Sequence, residues 1–598
     1  MKAFCMVLAL LSFPLTSRRV EAKPAKAGDL QARRDKLRKI IDEEWEFQLR
    51  THPVQATVFG DYRYNDKIDD ISPAQQSRTA KELRAFQVRL QAIDTTGFTE
   101  QDQLNKVLLM RENSDGLQDF ELKNFEMPLD QFNGVHLAFA ELPSIVPLDG
   151  VKHYEDYLAR LHAIPFALQQ AVEDAELGEK DHLMPPKFLL EQVVTQCDSI
   201  ATPAGKDNSF AVPVASFPKE IPAADQERLR AAILNAIDTE VRPAYQRLSQ
   251  FVKDVYAPKG RTEPGIWALP DGDTRYQFAI HEMTTTDMTP QQVFDLGMQE
   301  VHEDEAQMDV LARQQGYPDW KAYDAAIRND PKMHASSREQ VLDTYRHFIA
   351  HMQPKLPELF GILPKARLEI VPTEAYREKE AAGADYQVGT PDGSRPGQVH
   401  VNTYDYEHRL LPEMEDTAYH EGIPGHHMQM SIAQELSGLP AFRQHAGYTA
   451  YVEGWALYSE RLGKEIGFYT ETANDFERLG DDLLRATRLV EDSGVHYKHW
   501  TRDDMVKFFH ENSIESEASI QAETDRYIAW PGQALGYKIG QLKFLELRKR
   551  AKDALGDKFD IRAFHDEMLN GGAMPLDVLD TRTNAWIESV KSGAVSGN

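Results

Sequence analysis

Cysteine is nearly absent from this chain. Only Cys5 and Cys197 occur among 598 residues. Two cysteines cannot make a disulfide framework. Cys197 stands in no thiol-protease context, and we read it as a packing residue. Cys5 lies too early for a lipoprotein anchor. Long apolar runs are missing too: no stretch past the N-terminus approaches the ~20 residues of a membrane span. Positive charge is in short supply, with Lys+Arg 67 against Asp+Glu 95 and a formal net charge of −28. That balance disfavours non-specific nucleic-acid binding and suits a soluble protein. It does not identify a substrate, because the charge can be spread over a solvated surface. No fixed-period repeat or low-complexity tract stands out.

The N-terminus does carry a signal. Lys2 precedes an apolar run from Ala3 to Leu15, and Val20-Glu21-Ala22 offers a small-residue cleavage site. We read residues 1–22 as a secretory signal peptide, although Arg18 and Arg19 follow the apolar run instead of preceding it. The mature chain is then exported, to the periplasm or outside the cell, and keeps Cys197 as its single thiol.

The whole chain is 41% hydrophobic and long enough for more than one ordinary domain. Apolar residues recur at helical spacing over 30–51, 73–93, 102–113, 154–177, 223–256, 290–315 and 337–351. Pro- and Gly-bearing connectors lie at 202–222 and 257–272. We place a soft boundary near residue 260, with an N-terminal helical lobe over 23–260 and a catalytic lobe over 261–598. Two pieces alternate like strands, 367–372 and 398–402. The segment between Gly389 and Gly397 is a turn-rich loop. A small sheet there would offer an edge to an extended peptide, or would be a structural hairpin. The expected fold is mainly α, with a deep cleft and a small β-sheet beside the helix that carries the chemistry.

That chemistry is concentrated in Tyr419-His420-Glu421-Gly422-Ile423-Pro424-Gly425-His426-His427-Met428-Gln429. Three imidazoles and a carboxylate fall together, which suits metal-assisted hydrolysis. His-Glu pairs also occur at His281, His302 and His510, but none has another histidine within the next seven residues. The familiar H-E-x-x-H arrangement puts its histidines at i and i+4 on one helical face. Here i+4 is Pro424. His427, at i+7, would lie about 10.5 Å along a regular helix from His420, too far for ligands that each bond zinc at ~2 Å. Pro424 and Gly425 can break the helix, and a two-residue excursion turns i+6 into an effective i+4. We therefore read His420 and His426 as the ligand pair, with His427 second. Satisfied structural histidines are the competing reading.

A catalytic zinc takes three protein ligands and an open position. Glu453, in Tyr451-Val452-Glu453-Gly454-Trp455-Ala456, lies in an apolar aromatic stretch where an unpaired carboxylate is costly. A cation should compensate it, either a metal or an arginine. Glu460 shares its face, closer to charged sequence. Further on, His496, Tyr527 and Tyr537 are chemically suited to steady an oxyanion, although each could equally be structural.

The blocks His420-to-Gln429, Tyr451-to-Ala456, Asp492-Ser493-Gly494-Val495-His496, and Arg526-Tyr527 followed by Pro531-to-Tyr537 occur in an order that resembles the bacterial domain-of-unknown-function family 885. The resemblance runs over nearly all of the mature chain and implies a zinc metallopeptidase. That family is distantly similar to the helical zinc peptidases that include thimet oligopeptidase and angiotensin-converting enzyme. Their H-E-x-G-H helix aligns its Gly-His with Gly425-His426 here, and their downstream glutamate aligns in kind with Glu453. The resemblance thus implies one zinc per chain on His420, His426 and Glu453. It also implies a mostly helical body with a long cleft.

The expected protein is an exported zinc peptidase of short peptides. Glu421 acts as general base, and Tyr537, Tyr527 or His496 is the oxyanion donor. The alternatives are a zinc-containing peptide-binding protein without catalysis and a non-catalytic exported scaffold. Retention of Glu421 weighs against the first, since holding zinc needs no carboxylate there.

Overall fold

The computed structural model describes residues 27–594 apart from 374–377, 379–380, 392 and 394. The expected signal peptide lies outside the described residues. The described chain is mainly helical, with one small sheet. No described helix is long and apolar enough to cross a membrane.

The periodic segments are helices whose ends follow local chemistry. Pro73 begins the helix Pro73–Gln91, where its missing N–H costs nothing, and the Ser72 hydroxyl accepts from Gln75 N–H. Pro290–Gln314 starts at a capping box between Thr289 and Gln292. The 102–113 pattern belongs to a longer helix, Glu100–Glu121, capped by Thr99. Segment 223–256 is less regular than its periodicity suggests. Wider π-type turns at Ile237–Val241 and Val252–Tyr256 follow the helices Ala223–Ala236 and Arg242–Phe251.

Residues between Leu129 and Ala257 form a core of their own, with Tyr157, Leu161, Val193, Ile233 and Tyr245 fully buried. The long helices before it pack elsewhere, although Val54 of the short helix Pro53–Val58 lies against this core and Arg160 reaches the Pro53 and Lys67 carbonyls. Leu37, Ile40, Leu90 and Leu108 instead pack in one cluster with Trp455, Tyr458, Phe544 and Met568 from the far end of the chain. The helices Ala27–Thr51, Pro73–Gln91 and Glu100–Glu121 are thereby laid against the helices that carry the histidine and glutamate motifs.

The sheet has three strands: β1 (Leu368–Pro372), β2 (Ala384–Gln387) and β3 (Gly397–Val401). Their order is β1-β3-β2, with β1 parallel and β2 antiparallel to β3. The alternating pieces of sequence became β1 and β3. β2 is short and polar, and carries no alternation that would mark it. Val399 and Val401 bury against Tyr345, Met414 and Ala418, so the sheet is fastened to the helix that ends in His420-Glu421.

Helices Thr449–Glu465 and Leu535–Leu555 cross at backbone contact. A Cβ placed on Gly540 would lie 1.9 Å from the Ala450 carbonyl oxygen, and one on Gly454 would lie 2.4 Å from Gly540 Cα. Only glycine fits there. Ala in a helix interior normally gains about 1 kcal/mol over Gly, whereas overpacking a rigid backbone contact costs about 1–3 kcal/mol. Gly540→Ala is therefore expected to lower the unfolding midpoint. Gly28→Ala, with open space around it, should not. Equal midpoints for the wild type and Gly540→Ala in denaturant titration would remove the close contact from the account of stability.

Candidate metal centre

The helix Met414–Glu421 stops where the sequence places Gly422-Ile423-Pro424-Gly425, and a new helix, His426–Glu435, begins directly after it. The Ile423–Pro424 peptide is cis. The link is tightly held. Gly425 N–H donates to the Tyr419 carbonyl at 3.0 Å and His427 N–H to the Gly422 carbonyl at 3.1 Å. Trp455 Nε1 donates to the Pro424 carbonyl at 2.9 Å. A Cβ on Gly425 would sit 1.9 Å from the His420 carbonyl oxygen, so the two helix ends can close only with glycine between them.

This closure brings His420 and His426 together, their rings edge to face with centroids 4.7 Å apart. Both point Nε2 at one oxygen of Glu453, at 3.6 Å from His420 and 3.5 Å from His426. Glu453 comes from the helix Thr449–Glu465, beside the Gly454–Gly540 crossing. Its partners are the two imidazoles, and no arginine is among them. His427 turns the other way: its Nδ1 meets the Tyr386 hydroxyl on β2 at 3.0 Å. Burial pushes the His427 imidazole down to about 4, so it is neutral.

Glu421 also faces the pair. His420, Glu421 and His426 each offer an atom within 4.8 Å of the others. Two carboxylates therefore compete for a third ligand position. Ligands bonded at ~2.05 Å to a tetrahedral ion are separated by about 3.3 Å. The Glu453 distances lie near that edge, whereas the His420, Glu421 and His426 atoms lie within 4.8 Å of one another. That geometry suits Glu453 as a third ligand, which would leave Glu421 as a free carboxylate beside it. Burial raises the Glu421 pKa, against the pull of His420 and His426. Burial would also raise that of Glu453, but the imidazoles hold it well below the usual carboxylate range.

The donor set fits zinc. Each ring keeps Nε2 for the shared centre, and His420 Nδ1 bonds to Glu460 Oε1 at 2.7 Å. That is the carboxylate–histidine support that orients metal-binding imidazoles. Without a metal, burial would lower the His420 pKa, but Glu453 and Glu460 push it up to about 10. His426 Nδ1 is buried with no hydrogen-bond partner. Behind Glu460 lies a second layer. Arg485 pairs with Asp481 at 2.5 Å, and Asp481 lies against Asp416, whose pKa burial and the Asp481 charge raise strongly.

The oxyanion candidates sit differently. His496 is buried with both nitrogens committed: Nδ1 takes the Ile266 N–H at 3.0 Å and Nε2 reaches the Tyr527 carbonyl at 2.9 Å. Burial pushes it down to about 3, and it ties helix ends together. The Tyr527 hydroxyl donates to Glu523 at 2.5 Å and accepts from Arg488 at 2.9 Å. The Tyr537 hydroxyl accepts only a long bond from Arg526, 3.3 Å, and keeps its own proton to give. Glu460, Tyr386 and Asp416 were not assigned roles from sequence. Glu460 shares a helix face with Glu453 two turns away, a readable signal. Tyr386 has none, since it arrives on an unmarked strand.

Zinc affinity should fall far more in His426→Ala than in His427→Ala, because only His426 aims at Glu453. Competition with a zinc chelator measures both. The reverse order would move the ligand role to His427.

No curated protein matches the chain. A solved candidate lipoprotein from Colwellia psychrerythraea is 27% identical and superposes with a TM-score of 0.89, covering 93% of this chain and 99% of its own. A candidate lipoprotein of unknown function from Shewanella oneidensis is 19% identical and shares the fold, with a TM-score of 0.69 over 91% of this chain and 99% of its own. Residues 53–582 match the model of a family described as bacterial protein of unknown function, and the chain therefore belongs to that family, DUF885.

Proposed function

We propose that this protein is an exported zinc-dependent peptidase that hydrolyses short peptides within a cleft of a helical zinc-peptidase type. The observation that carries the reading is the convergence of His420 and His426 on one oxygen of Glu453, with Glu421 beside them and unpaired by any arginine. Export is supported by the apolar leader at Ala3–Leu15 and by the candidate lipoprotein from Colwellia psychrerythraea.

His420, His426 and Glu453 would hold the zinc. When bound, zinc polarises a scissile carbonyl and lowers the pKa of a water molecule toward neutrality. The remaining work falls to the chain. Glu421 Oε accepts the proton that the attacking water gives up, then returns it to the leaving amine nitrogen. Glu460 keeps His420 in the tautomer that leaves Nε2 free. Tyr537 is the tyrosine whose proton is uncommitted, and it would donate to the developing oxyanion. The helix Leu535–Leu555 presents it one turn from the Gly540 contact with the Glu453 helix.

Glu421→Gln should keep its zinc and lose turnover by ~10²–10⁴-fold, since an amide cannot take the water proton. The check is product mass from a mixed peptide library, with metal content measured alongside. Unchanged cleavage would exclude Glu421 as the base, and no cleavage by the zinc-loaded wild type would sink the peptidase reading.

Tyr537→Phe should slow turnover by about 10²-fold with zinc retained, the usual cost of one oxyanion donor. Tyr527→Phe should chiefly disturb the Arg488–Glu523 pairing and show as a lower unfolding midpoint. If only Tyr527→Phe is catalytically slow, the donor role passes to Tyr527.

A further inference from the structure

A cavity of about 520 Å³ opens between the helices Ala27–Thr51, Pro73–Gln91 and Glu100–Glu121 and the segment that leads into the Glu453 helix. That volume is of the size that takes small organic ligands. One wall is aromatic. Trp45, Phe59 and His445 form a mutually packed trio, with centroids 4.4 Å apart for Phe59–His445, 5.5 Å for Trp45–Phe59 and 5.7 Å for Trp45–His445. Burial pushes His445 down to about 4, so this wall is neutral.

The facing wall is acidic. Glu112, Gly116 and Asp119 lie at i, i+4 and i+7 of one helix and all line the cavity. Each carboxylate has one oxygen engaged: Glu112 Oε1 accepts from the Tyr448 hydroxyl at 2.9 Å, and Asp119 Oδ1 from Asn124 Nδ2 at 2.7 Å. The other oxygen of each receives no hydrogen bond from the described residues. No described lysine or arginine lines the cavity. The basic side chain at its edge, His52, is half-exposed and lies 3.5 Å from Asp69. Arg443 is nearby and its charge acts on Glu112, but its two Nη groups bond to Asn105 and the Gly571 carbonyl, and its Nε is buried without a partner. Burial pushes Glu112 up to about 7, the response of a carboxylate short of a counter-charge.

The cavity therefore offers bare acceptors on one side and π faces on the other. A bare metal ion fits poorly. Residues seven apart on a helix are separated by about 10.5 Å along the axis, too far to share one ion, and aromatic carbon is no metal ligand. An ammonium group suits both walls, since it gives hydrogen bonds to carboxylates and is attracted to aromatic faces.

We propose that this cavity is a binding site for an organic ammonium, a primary amine carried on a short apolar chain, with Glu112 as its anchor, the Asp119 charge two turns away adding to the attractive field, and Trp45 and Phe59 against its apolar body. The site stands on residues outside the metal centre and does not depend on the peptidase reading.

Calorimetric titration of the whole mature chain with pentylammonium chloride and with pentanol tests it. Pentylammonium should bind at least about tenfold more tightly than pentanol. Glu112→Gln should remove that preference, and Asp119→Asn should reduce it. Glu112→Gln keeps an acceptor for Tyr448 and removes a buried charge, so it should fold, and circular dichroism confirms that. Competition by trialanine but not by N-acetyl-trialanine would assign the ammonium to a peptide amino terminus; competition by neither would assign it to a free amine. Both results support the site. Equal binding of amine and alcohol, no saturable binding of pentylammonium, or a preference that survives in folded Glu112→Gln would overturn it.

Discussion

A carboxylate in the apolar middle of a helix must find positive charge, because an isolated buried anion is far too costly to keep. Glu453 finds it in two imidazoles that face its oxygen from the ends of two other helices. Much of the local architecture serves that meeting. The helix Met414–Glu421 has to end so that His426 can turn back, Gly425 has to lack a side chain so that the ends can touch, and Trp455 fixes the link from the very helix that carries Glu453. Glu460, two turns along, then holds the far side of His420. One helix thus supplies the carboxylate, the anchor of the link and the orienting partner.

This concentration explains why burial there is tolerable. The centre gathers Glu421, Glu453 and Glu460 around two histidines, and behind them Asp416 and Asp481 around Arg485. Acceptors outnumber fixed cations in both layers. A divalent ion at the first layer would offset most of that excess, whereas in the second layer burial and the Asp481 charge raise the Asp416 pKa, which favours its neutral carboxyl.

Local order was largely legible in the sequence. Apolar spacing marks the long helices, and Pro, Ser and Thr mark their starts, because those signals act within a few residues. The His420–His426 pair was legible for the same reason: Pro424 and Gly425 announce the break between them. Long-range relations were not. Nothing in the helices Ala27–Thr51, Pro73–Gln91 and Glu100–Glu121 says that their apolar faces pack against the far end of the chain, while Val54, Ile68 and Ile71 between them lie against the 129–257 core. Nor does periodicity distinguish the Tyr527 hydroxyl, tied to Glu523 and Arg488, from the Tyr537 hydroxyl, which keeps its proton. The Arg488 partner of Tyr527 arrives from another helix, 39 residues earlier in the chain, where local periodicity cannot see it. β2 escaped notice because a four-residue polar strand has no pattern to read.

The contact between Gly454 and Gly540 has a consequence for how this protein can change over time. Most helix pairs are spaced by the side chains between them, so every substitution in the seam moves the axes slightly. Here main chain rests on main chain next to Glu453. The separation of these two helices is set by atoms that no substitution can alter, short of replacing the glycines themselves. Side chains farther along the seam are then free to drift in size and shape while the carboxylate keeps its place, and a lineage can diverge widely in sequence without disturbing its histidine–carboxylate cluster.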